Sequence, residues 1–349
     1  MSQQHTPSRA PSVRLTEMIL SLWVPQTIYT AASLRIPDEL ALGPKRSNEL
    51  ASAVNAHPDA IDRLLRALVS LELCAKTSDG AFELTPLGAC LRSDGPDSVR
   101  SWALLMGRPH VWRAWGRLVD CVRTGEHAWK LEGADLFEFM KANPEEAEIF
   151  NQAMLELTNN TAREVAAAYD FVGVREIVDV GGGYGQLVAA ILGMHPNMRG
   201  VVFDLPHCQE GAEQLIEKQQ LSGRVKFVVG DFFESVPAGA DAYLLKWVVH
   251  DWNDERSLTI LRRCRAAMHE QARLLVIEVA APEQVGLSPF DNIFIGSDLT
   301  MLVNTGGRER TEAQYRKLLE MAGLRVTRII ATASEMSVIE ALPAVGTRA

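Results

Sequence analysis

Residues 176–187 read EIVDVGGGYGQL and contain the features that decide the fold. The apolar run EIVDV is typical of a short strand, and it leads through Gly181, Gly183 and Gly185 into a helical pattern that starts at Gln186. Glycines let the backbone approach a ligand without a Cβ clash, and the following helix N-terminus offers unpaired N–H groups. A dinucleotide fingerprint would need Gly or Ala at position 186, so the stretch disfavours a pyrophosphate ligand.

Strand and helix patterns alternate on the C-terminal side of this stretch. The strand-like runs are EIVDV (176–180), GVVFDL (200–205), RVKFVVG (224–230), DAYLLKWVV (241–249) and RLLVIEV (273–279). Helical patterns at about 208–220 and 254–268 fall between them. This order predicts an α/β fold with a mostly parallel, Rossmann-like sheet covered on both faces. Residues 324–331 and 336–342 are close enough to add an antiparallel hairpin.

Three successive strands end in an aspartate: Asp179, Asp204 and Asp231. A single acid after a strand is most often a helix cap. Asp204, however, stands where an acid on the next strand reaches a ribose diol, and Asp231 with Phe232 can hydrogen-bond and stack an adenine. A nucleoside without pyrophosphate, lined by carboxylates, fits a ligand that carries positive charge. S-adenosylmethionine is such a ligand.

The N-terminal third predicts a different kind of module. Two helical patterns and a short hairpin over residues 47–92 are typical of a winged helix, which raises DNA binding as an alternative. Acidic and basic residues are equally numerous over residues 44–92, and the candidate recognition helix carries Asp59 and Asp62, so we expect dimerisation instead. Residues 1–13 are expected to form a loose arm. The apolar segment 15–34 needs cover for Trp23, Ile28 and Tyr29, from a partner chain or from its own chain.

A helical stretch between this module and residue 170 is rich in aromatic residues and methionine. Four of the seven tryptophans of the chain lie between residues 102 and 129. Such residues are most often ordinary core, but they also suit a wall for a flat apolar ligand.

Composition limits the remaining function classes. A chain of 349 residues suggests two domains, and a net charge of −9 argues against a sequence-independent grip on nucleic acid or anionic lipid. The five cysteines form no C-x-x-C pair, which favours a reducing cytoplasm over a disulfide framework or a zinc site. No apolar run reaches the ~18 residues of a membrane span, and no secretion signal is expected.

Five linked motifs resemble the caffeic acid O-methyltransferase-like family, whose bacterial members act in natural-product pathways. The motifs are VDVGGG (178–183), FDLPH (203–207), GDFF (230–233), KWVVHDW (246–252) and GGRERT (306–311), in the family's order. The resemblance runs from about residue 15 to 342. It implies a winged-helix dimerisation domain, assigned to residues 14–100, and a methyltransferase domain, assigned to residues 101–349. Within the second domain, residues 101–170 would line the pocket and residues 171–349 would form the Rossmann-like core.

The resemblance also implies roles for individual residues. The residues expected to bind S-adenosylmethionine, with S-adenosylhomocysteine as product, are Asp179, Gly181, Gly183, Asp204, Leu205, Asp231, Phe232 and Lys246. His250 matches the family's general base, flanked by Glu278 and Glu309. The expected acceptor pocket comprises Met106, Phe150, Met154, Met301 and Asn304. Tyr184 departs from the family, which usually has Thr there.

The chemistry of a methyl transfer agrees with these roles. A phenol is mostly protonated at neutral pH, so a histidine base is useful, and a carboxylate on one ring nitrogen would fix its tautomer. A metal cluster of His250, Asp251 and Asp254 is disfavoured because Asp254 is expected to be a helix N-cap. The sequence thus predicts a homodimeric O-methyltransferase acting on a hydroxyl, phenolic in our interpretation, of a small aromatic metabolite. The alternatives are N-methylation of a phenazine-like heterocycle, a repurposed fold with non-methyl chemistry, and a SAM-sensing winged-helix regulator.

Overall fold

The computed structural model describes residues 10–344, apart from the side chains of Asn160 and Pro289. The chain forms two compact units that divide between Pro109 and His110. All five cysteines are free thiols. Within residues 10–344, no helix combines the length and the apolar character that a membrane span requires.

The first unit is helical with one small hairpin. Its helices are α1 (Pro11–Leu20), α2 (Trp23–Ser33), α3 (Ile36–Ala41), α4 (Ser47–Ala53), α5 (Pro58–Ser70), α6 (Pro86–Ala89) and α7 (Arg100–Met106). The hairpin pairs β1 (Cys74–Lys76) with β2 (Phe82–Leu84), so the predicted pattern of two helices followed by a hairpin is present. Apolar residues at helical spacing on α5, among them Ile61, Leu65 and Leu68, are buried in its core.

The predicted N-terminal arm is wrong at its C-terminal end. Residues 1–9 lie outside the described residues, but α1 already begins at Pro11 because proline is well suited to the first turn of a helix. No residue of α1 is buried. On α2, Trp23 is 40% exposed, whereas Ile28 and Tyr29 are partly covered within the unit, Tyr29 by close contact with Gly107. The expectation that this apolar segment is covered therefore holds within the chain only for its second half, and the first half is exposed.

The second unit is built on one sheet. Its helices are α8 (Pro109–Trp115), which begins at the boundary, α9 (Leu118–Thr124), α10 (Ala128–Leu131), α11 (Leu136–Ala142), α12 (Pro144–Ala168), α13 (Gln186–Met194), α14 (Gln209–Lys218), α15 (Asp254–Ala267), α16 (Pro289–Asn304) and α17 (Glu312–Met321). Its strands are β3 (Glu176–Val180), β4 (Arg199–Asp204), β5 (Val225–Val229), β6 (Ala242–Lys246), β7 (Arg273–Ala281), β8 (Arg310–Thr311), β9 (Leu324–Ala331) and β10 (Met336–Pro343).

The sheet has the predicted mixed topology. Its strand order is β5-β4-β3-β6-β7-β10-β9, and β8 pairs with the end of β7. The five strands from β5 to β7 are parallel, while β10 is antiparallel to both β7 and β9. Successive residues of one strand point to opposite faces, so Val178 packs on one side and Ile177 on the other, each in its own apolar cluster. Both faces are therefore covered, and the carboxyl ends of the parallel strands share one edge.

Candidate active site

The glycine-rich loop opens this edge after β3. Gly181, Gly183 and Gly185 have φ angles of 71°, 55° and 84°, a region that residues with a Cβ rarely adopt. A Cβ on Gly183 would meet nothing within 4 Å, so the loop faces open space at this glycine. Gly185 is the N-cap of α13. The loop therefore presents backbone groups and a helix N-terminus to a ligand at the edge.

The strand-end acids divide into three environments. Asp204 accepts the N–H of Gly183 at 2.7 Å and that of Leu205 at 2.6 Å, which fixes its carboxylate against the loop. Asp179 is 2% exposed and lies beneath Gly182, and burial raises its pKa to about 7 although Lys246 opposes the rise. Asp231 is exposed and accepts the N–H of Phe233 at 2.8 Å. Of the three, Asp231 is the most open to solvent.

One aromatic side chain, Phe232, and one cationic side chain, Lys246, lie near the glycine loop and the strand-end acids. The ring of Phe232 lies against Gly181, where a Cβ would be 3.4 Å from the ring. Lys246, at the end of β6, places Nζ 3.2 Å from the centre of the Trp247 ring and donates a 3.1 Å hydrogen bond to Thr158 of α12. Burial lowers the pKa of Lys246 to about 7, although the charges of Glu278 and Asp179 act to raise it. Lys246 thus links the carboxyl end of β6 to α12.

His250 stands on a tight turn directly after β6. Trp247 reverses the chain with a φ of 53°, an uncommon angle for a residue with a side chain, and a 3₁₀ turn follows at Val249–Asp251. Glu278, from β7, accepts three backbone N–H groups of this turn on Oε1: Val248 at 3.2 Å, Val249 at 3.0 Å and His250 at 3.3 Å. Glu278 therefore holds the backbone that carries His250.

The His250 ring is held by the other predicted carboxylate. Glu309 Oε1 lies 2.9 Å from His250 Nδ1, and both side chains are buried. Nδ1 therefore carries the proton in this contact, because a carboxylate can only accept. The opposite nitrogen, Nε2, is 3.8 Å from Asp251 Oδ1, beyond hydrogen-bond distance. Nε2 is consequently the ring nitrogen left for another partner.

The charges around His250 alter its titration. Burial alone lowers its pKa, but the negative charges of Glu278 and Glu309 and the hydrogen bond to Glu309 raise it to about 10. Burial raises the pKa of Glu278 to about 7, whereas the hydrogen bond from His250 holds the pKa of Glu309 below its usual range against the effect of burial. The imidazole is therefore much more basic than an ordinary histidine, because two buried carboxylates face it.

The GGRER segment clamps the turn from the other side. Gly307 passes so close that a Cβ there would lie 2.0 Å from the carbonyl oxygen of His250, and Arg308 donates its N–H to that oxygen at 2.8 Å. Arg310, 1% exposed, donates to the carbonyls of Val249 at 2.9 Å and Trp252 at 2.8 Å. The turn that bears the histidine is therefore fixed at its backbone on both sides.

The same three side chains could in principle coordinate a cation, since ligand atoms of His250, Glu278 and Glu309 lie within 4.8 Å of one another. Oε1 of each carboxylate already serves donors, since Glu278 Oε1 takes three N–H groups and Glu309 Oε1 takes the histidine, whereas Oε2 of each is buried without a hydrogen-bond partner among the described residues. The predicted role of Asp254 as a helix cap is wrong. Asn253 caps α15 through Arg256, and Asp254 instead pairs with Arg310 at 2.8 Å.

The predicted acceptor residues lie on three helices. Phe150 and Met154 are on α12, and Met301 and Asn304 are on α16, all in the second unit and partly or fully buried. Met106 is on α7 of the first unit. On α16, Ser297, Met301 and Asn304 are spaced by four and three residues, so they share one face of the helix.

Several contacts at the site have no counterpart in the sequence-based prediction. Ser297 and Asp298 of α16 both hold Glu309, the first at its side chain and the second at its N–H. Arg310 had no predicted role of its own, yet it is among the largest fully buried side chains. The sequence offered only a weak signal, because an arginine next to another charged residue is normally expected to be exposed. The adjacent glycine pair was a better indication of close backbone approach.

Two family models match the chain. One describes an O-methyltransferase domain and matches residues 115–325, and the other describes an O-methyltransferase dimerisation domain and matches residues 16–94.

Individual relatives extend over nearly the whole chain. Phenazine O-methyltransferase PhzM of Lysobacter antibioticus is 40% identical over 94% of this chain and 95% of its own length. The mitomycin biosynthesis 6-O-methyltransferase of Streptomyces lavendulae is 38% identical over 90% of this chain and 89% of its own length. The crystal structure of human N-acetylserotonin methyltransferase with SAM has 30% identity and a TM-score of 0.88, covering 98% of this chain and 100% of that one. The chain therefore belongs to the caffeic acid O-methyltransferase-like family and is an S-adenosylmethionine-dependent O-methyltransferase.

Proposed function

We propose that this enzyme methylates a phenolic hydroxyl group of a small aromatic metabolite and that Nε2 of His250 accepts the phenolic proton. The observation that carries the proposal is the 2.9 Å contact between Glu309 Oε1 and His250 Nδ1. Because this contact occupies Nδ1 with a donated proton, the free lone pair of the neutral ring is on Nε2. That nitrogen stands at the carboxyl end of β6, the edge at which open α/β sheets bind ligands.

The donor would occupy the glycine loop and the strand-end acids. When bound, S-adenosylmethionine supplies a methyl group on a positively charged sulfur. In-line displacement by the acceptor oxygen transfers this methyl group, giving a methyl ether and S-adenosylhomocysteine. Gly183 leaves the backbone accessible, Gly181 allows Val248 and Phe232 to pack closely against the loop, and Asp204 is already held against the loop by the Gly183 N–H. Asp231 is exposed beside Phe232, which supports their roles at the adenine. Asp179 and Lys246 are buried beneath the loop, where their opposite charges suit a supporting role.

The raised pKa of His250 suits a phenol. An ordinary phenol ionises near pH 10, as tyrosine does, and the two carboxylates bring the pKa of His250 to about the same value. Proton transfer between groups of equal pKa has a small free-energy cost, and the imidazolium formed is stabilised by Glu309 and Glu278. An N-methylation would not depend on such a base. A base of this kind is useful for a hydroxyl acceptor and is not needed for a heterocyclic nitrogen, which supports the proposed hydroxyl acceptor.

The pocket walls support an aromatic acceptor. Phe150 and Met154 on α12 and Met301 on α16 are apolar, and Asn304 on α16 offers one polar group. The Asn304 amide already donates one N–H to the Thr300 carbonyl at 3.1 Å, which leaves its oxygen and its second N–H for an acceptor hydroxyl. Flat apolar rings with one polar substituent match this set of side chains.

We further propose a homodimer formed through the first unit. Leu15, Met18, Ile19 and Leu22 are between 57% and 65% exposed, on and just beyond a helix that has no buried residue. A patch of this kind on the matched dimerisation domain is suited to a second copy of the chain. Sedimentation of the intact protein should give a dimer, and Ile19→Glu should shift it towards the monomer. A wild-type monomer at micromolar concentration would contradict this assignment.

The proposed reaction is tested by a matched set of acceptors. Simple naphthols and hydroxyphenazines, the corresponding amines and the corresponding methyl ethers are incubated with enzyme and S-adenosylmethionine. S-adenosylhomocysteine release and the product's NMR spectrum identify the methylated atom. We expect turnover of hydroxyl compounds, little of amines and none of ethers. Efficient methylation of the amines with no turnover of any phenol would contradict the proposal.

A further inference from the structure

Glu309 has a second hydrogen-bond donor that the motif does not suggest. Ser297 Oγ of α16 donates to Glu309 Oε1 at 2.6 Å, and this is the oxygen that accepts His250 Nδ1 at 2.9 Å. The serine lies 12 residues before the glutamate, on a different element, so the contact depends on the fold. The other carboxylate oxygen, Oε2, is buried and has no hydrogen-bond partner within residues 10–344. The Glu309 carboxylate is thus held entirely through Oε1.

We propose that Ser297 is a positioning residue for the methyl transfer: its hydroxyl group fixes the Glu309 carboxylate so that Oε1 stays on His250 Nδ1 and Nε2 remains the proton-accepting nitrogen. The inference rests on the proposed role of His250 as the base. Ser297 acts on the histidine through Glu309 and has no chemical role of its own in the proton transfer.

The serine restrains rotation of the Glu309 carboxylate, which is otherwise opposed by the hydrogen bond to His250. The Glu309 main chain is fixed by its N–H, which donates to Asp298 Oδ1 at 2.9 Å. The terminal carboxylate torsion is broad, so the main chain alone does not hold a carboxylate oxygen against the histidine. Without the serine hydroxyl, the carboxylate would keep one protein donor, His250, inside a site where Glu309 is 6% exposed. A buried carboxylate with too few donors is costly, so it would reorient or take up a proton.

Removal of the Ser297 hydroxyl should be detectable in the titration of His250, because several charged groups surround the histidine and Glu309. The groups facing His250 and Glu309 are Asp251 beside the histidine, Glu278 from β7, Asp298 from α16, Arg310 from β8 and Tyr315 from α17. Among them, the Ser297 hydroxyl contributes a hydrogen bond that lowers the pKa of Glu309. Without this hydrogen bond the carboxylate can turn away from Nδ1, and the imidazolium then loses part of its stabilisation. The pKa of His250 should then fall, and the population of the ring tautomer protonated at Nε2 should rise.

The test compares Ser297→Ala with two matched variants. Ser297→Thr keeps the hydroxyl group on α16. Thr300→Ala removes a hydroxyl from the same helix that donates only to its own backbone, to the Gly296 carbonyl at 2.7 Å. Each variant is assayed with a phenolic acceptor at saturating donor, its donor affinity is measured by calorimetry, and the His250 ring is titrated by nitrogen-detected NMR. Thermal unfolding checks that each variant is folded.

We expect Ser297→Ala to lower kcat about tenfold when both proteins are compared at a pH high enough for His250 to be neutral, as for a lost hydrogen bond to a charged group, with donor affinity unchanged. The His250 titration should move to lower pH in Ser297→Ala alone, with Ser297→Thr and Thr300→Ala close to the wild type. Wild-type kcat and titration in Ser297→Ala, or an equal loss in Ser297→Thr, would overturn the proposal. Failure of the base assignment is a separate outcome: His250→Gln would then keep its activity, while the NMR titration of Ser297→Ala still reports on the serine.

Discussion

His250 and Glu309 share a 2.9 Å hydrogen bond between Nδ1 and Oε1 in a site that buries both side chains. The two residues are 59 positions apart in the chain, and the fold joins them because the segment after α16 passes over the turn that follows β6. The contact fixes the tautomer of the ring. It also sets the ring's basicity together with Glu278, and both effects lead to measurable consequences.

The first consequence concerns pH. The reactive complex contains neutral His250 and an un-ionised phenol. This pair carries the same total number of protons as the imidazolium–phenolate pair that proton transfer produces. Because the charges of Glu278 and Glu309 raise the pKa of His250 to about 10 against the effect of burial, kcat/KM should rise about tenfold per pH unit from pH 7 to 9 for a simple phenol. A more acidic phenol, ionising near pH 7, should instead reach a plateau at its own pKa. A plateau already at pH 7 with the simple phenol would show that the base has an ordinary pKa.

Two substitutions of Glu278 should distinguish its two effects, the hydrogen bonds to the turn and the charge that raises the pKa of His250. Glu278→Gln keeps a carbonyl oxygen for the three turn N–H groups but removes the charge that raises the pKa of His250. The fold should remain stable, and the His250 titration should move to lower pH. Glu278→Ala removes the acceptor as well and leaves buried N–H groups unpaired, at a cost of about 3 kcal/mol in the free energy of unfolding. Urea unfolding and the NMR titration measure the two effects; equal stability of both variants would contradict the assignment.

Gly307 should not tolerate a side chain. A Cβ would lie 2.0 Å from the His250 carbonyl oxygen and 2.4 Å from the Asp251 carbonyl carbon, and these backbone atoms cannot move without displacing the turn. A displacement of about 1 Å at a catalytic group is expected to cost roughly 100-fold in kcat. Gly307→Ala should show this loss, whereas Gly193→Ala, on α13 with nothing within 4 Å of the new Cβ, should remain fully active. Normal activity in Gly307→Ala would mean that the turn can shift without affecting the reaction.

Tyr184 should strengthen donor binding indirectly. It stands in the glycine loop where the family usually has Thr, is 6% exposed, and donates a hydrogen bond to Glu148 of α12 while its ring packs on Gly211 of α14. Tyr184→Phe removes only the link to α12. We expect a few-fold weaker affinity for S-adenosylmethionine and a loss of about 1 kcal/mol in the free energy of unfolding. Calorimetry and urea unfolding check both values, and unchanged donor affinity would limit the link to a role in stability.

Local patterns made much of the fold predictable. Each parallel strand of the sheet is a short apolar run followed by a turn, so the ends bearing Asp179, Asp204 and Asp231 could be placed from spacing alone. The position of His250 followed in the same way, because it comes a few residues after β6. Register and strand order then brought Glu278 to the same edge.

The remaining details depend on contacts that spacing does not encode. The sequence placed Glu278 and Glu309 in equivalent roles beside the histidine, yet one holds the backbone of the turn and the other holds the ring. Ser297 reaches Glu309 only because α16 packs beside the GGRER segment, and Asp254 pairs with Arg310 instead of capping α15. Basicity is equally non-local, since it arises from two carboxylates on β7 and on the approach to β8.

The turnover of His250→Gln with a simple phenol at saturating S-adenosylmethionine tests most directly whether His250 is the proton acceptor. The glutamine side chain cannot act as a base in water. The substitution leaves the glycine loop and the strand-end acids unchanged. Donor affinity measured by calorimetry should match the wild type, while kcat should fall by about 10²- to 10⁴-fold, the usual contribution of a general base. A kcat close to the wild-type value would contradict the account.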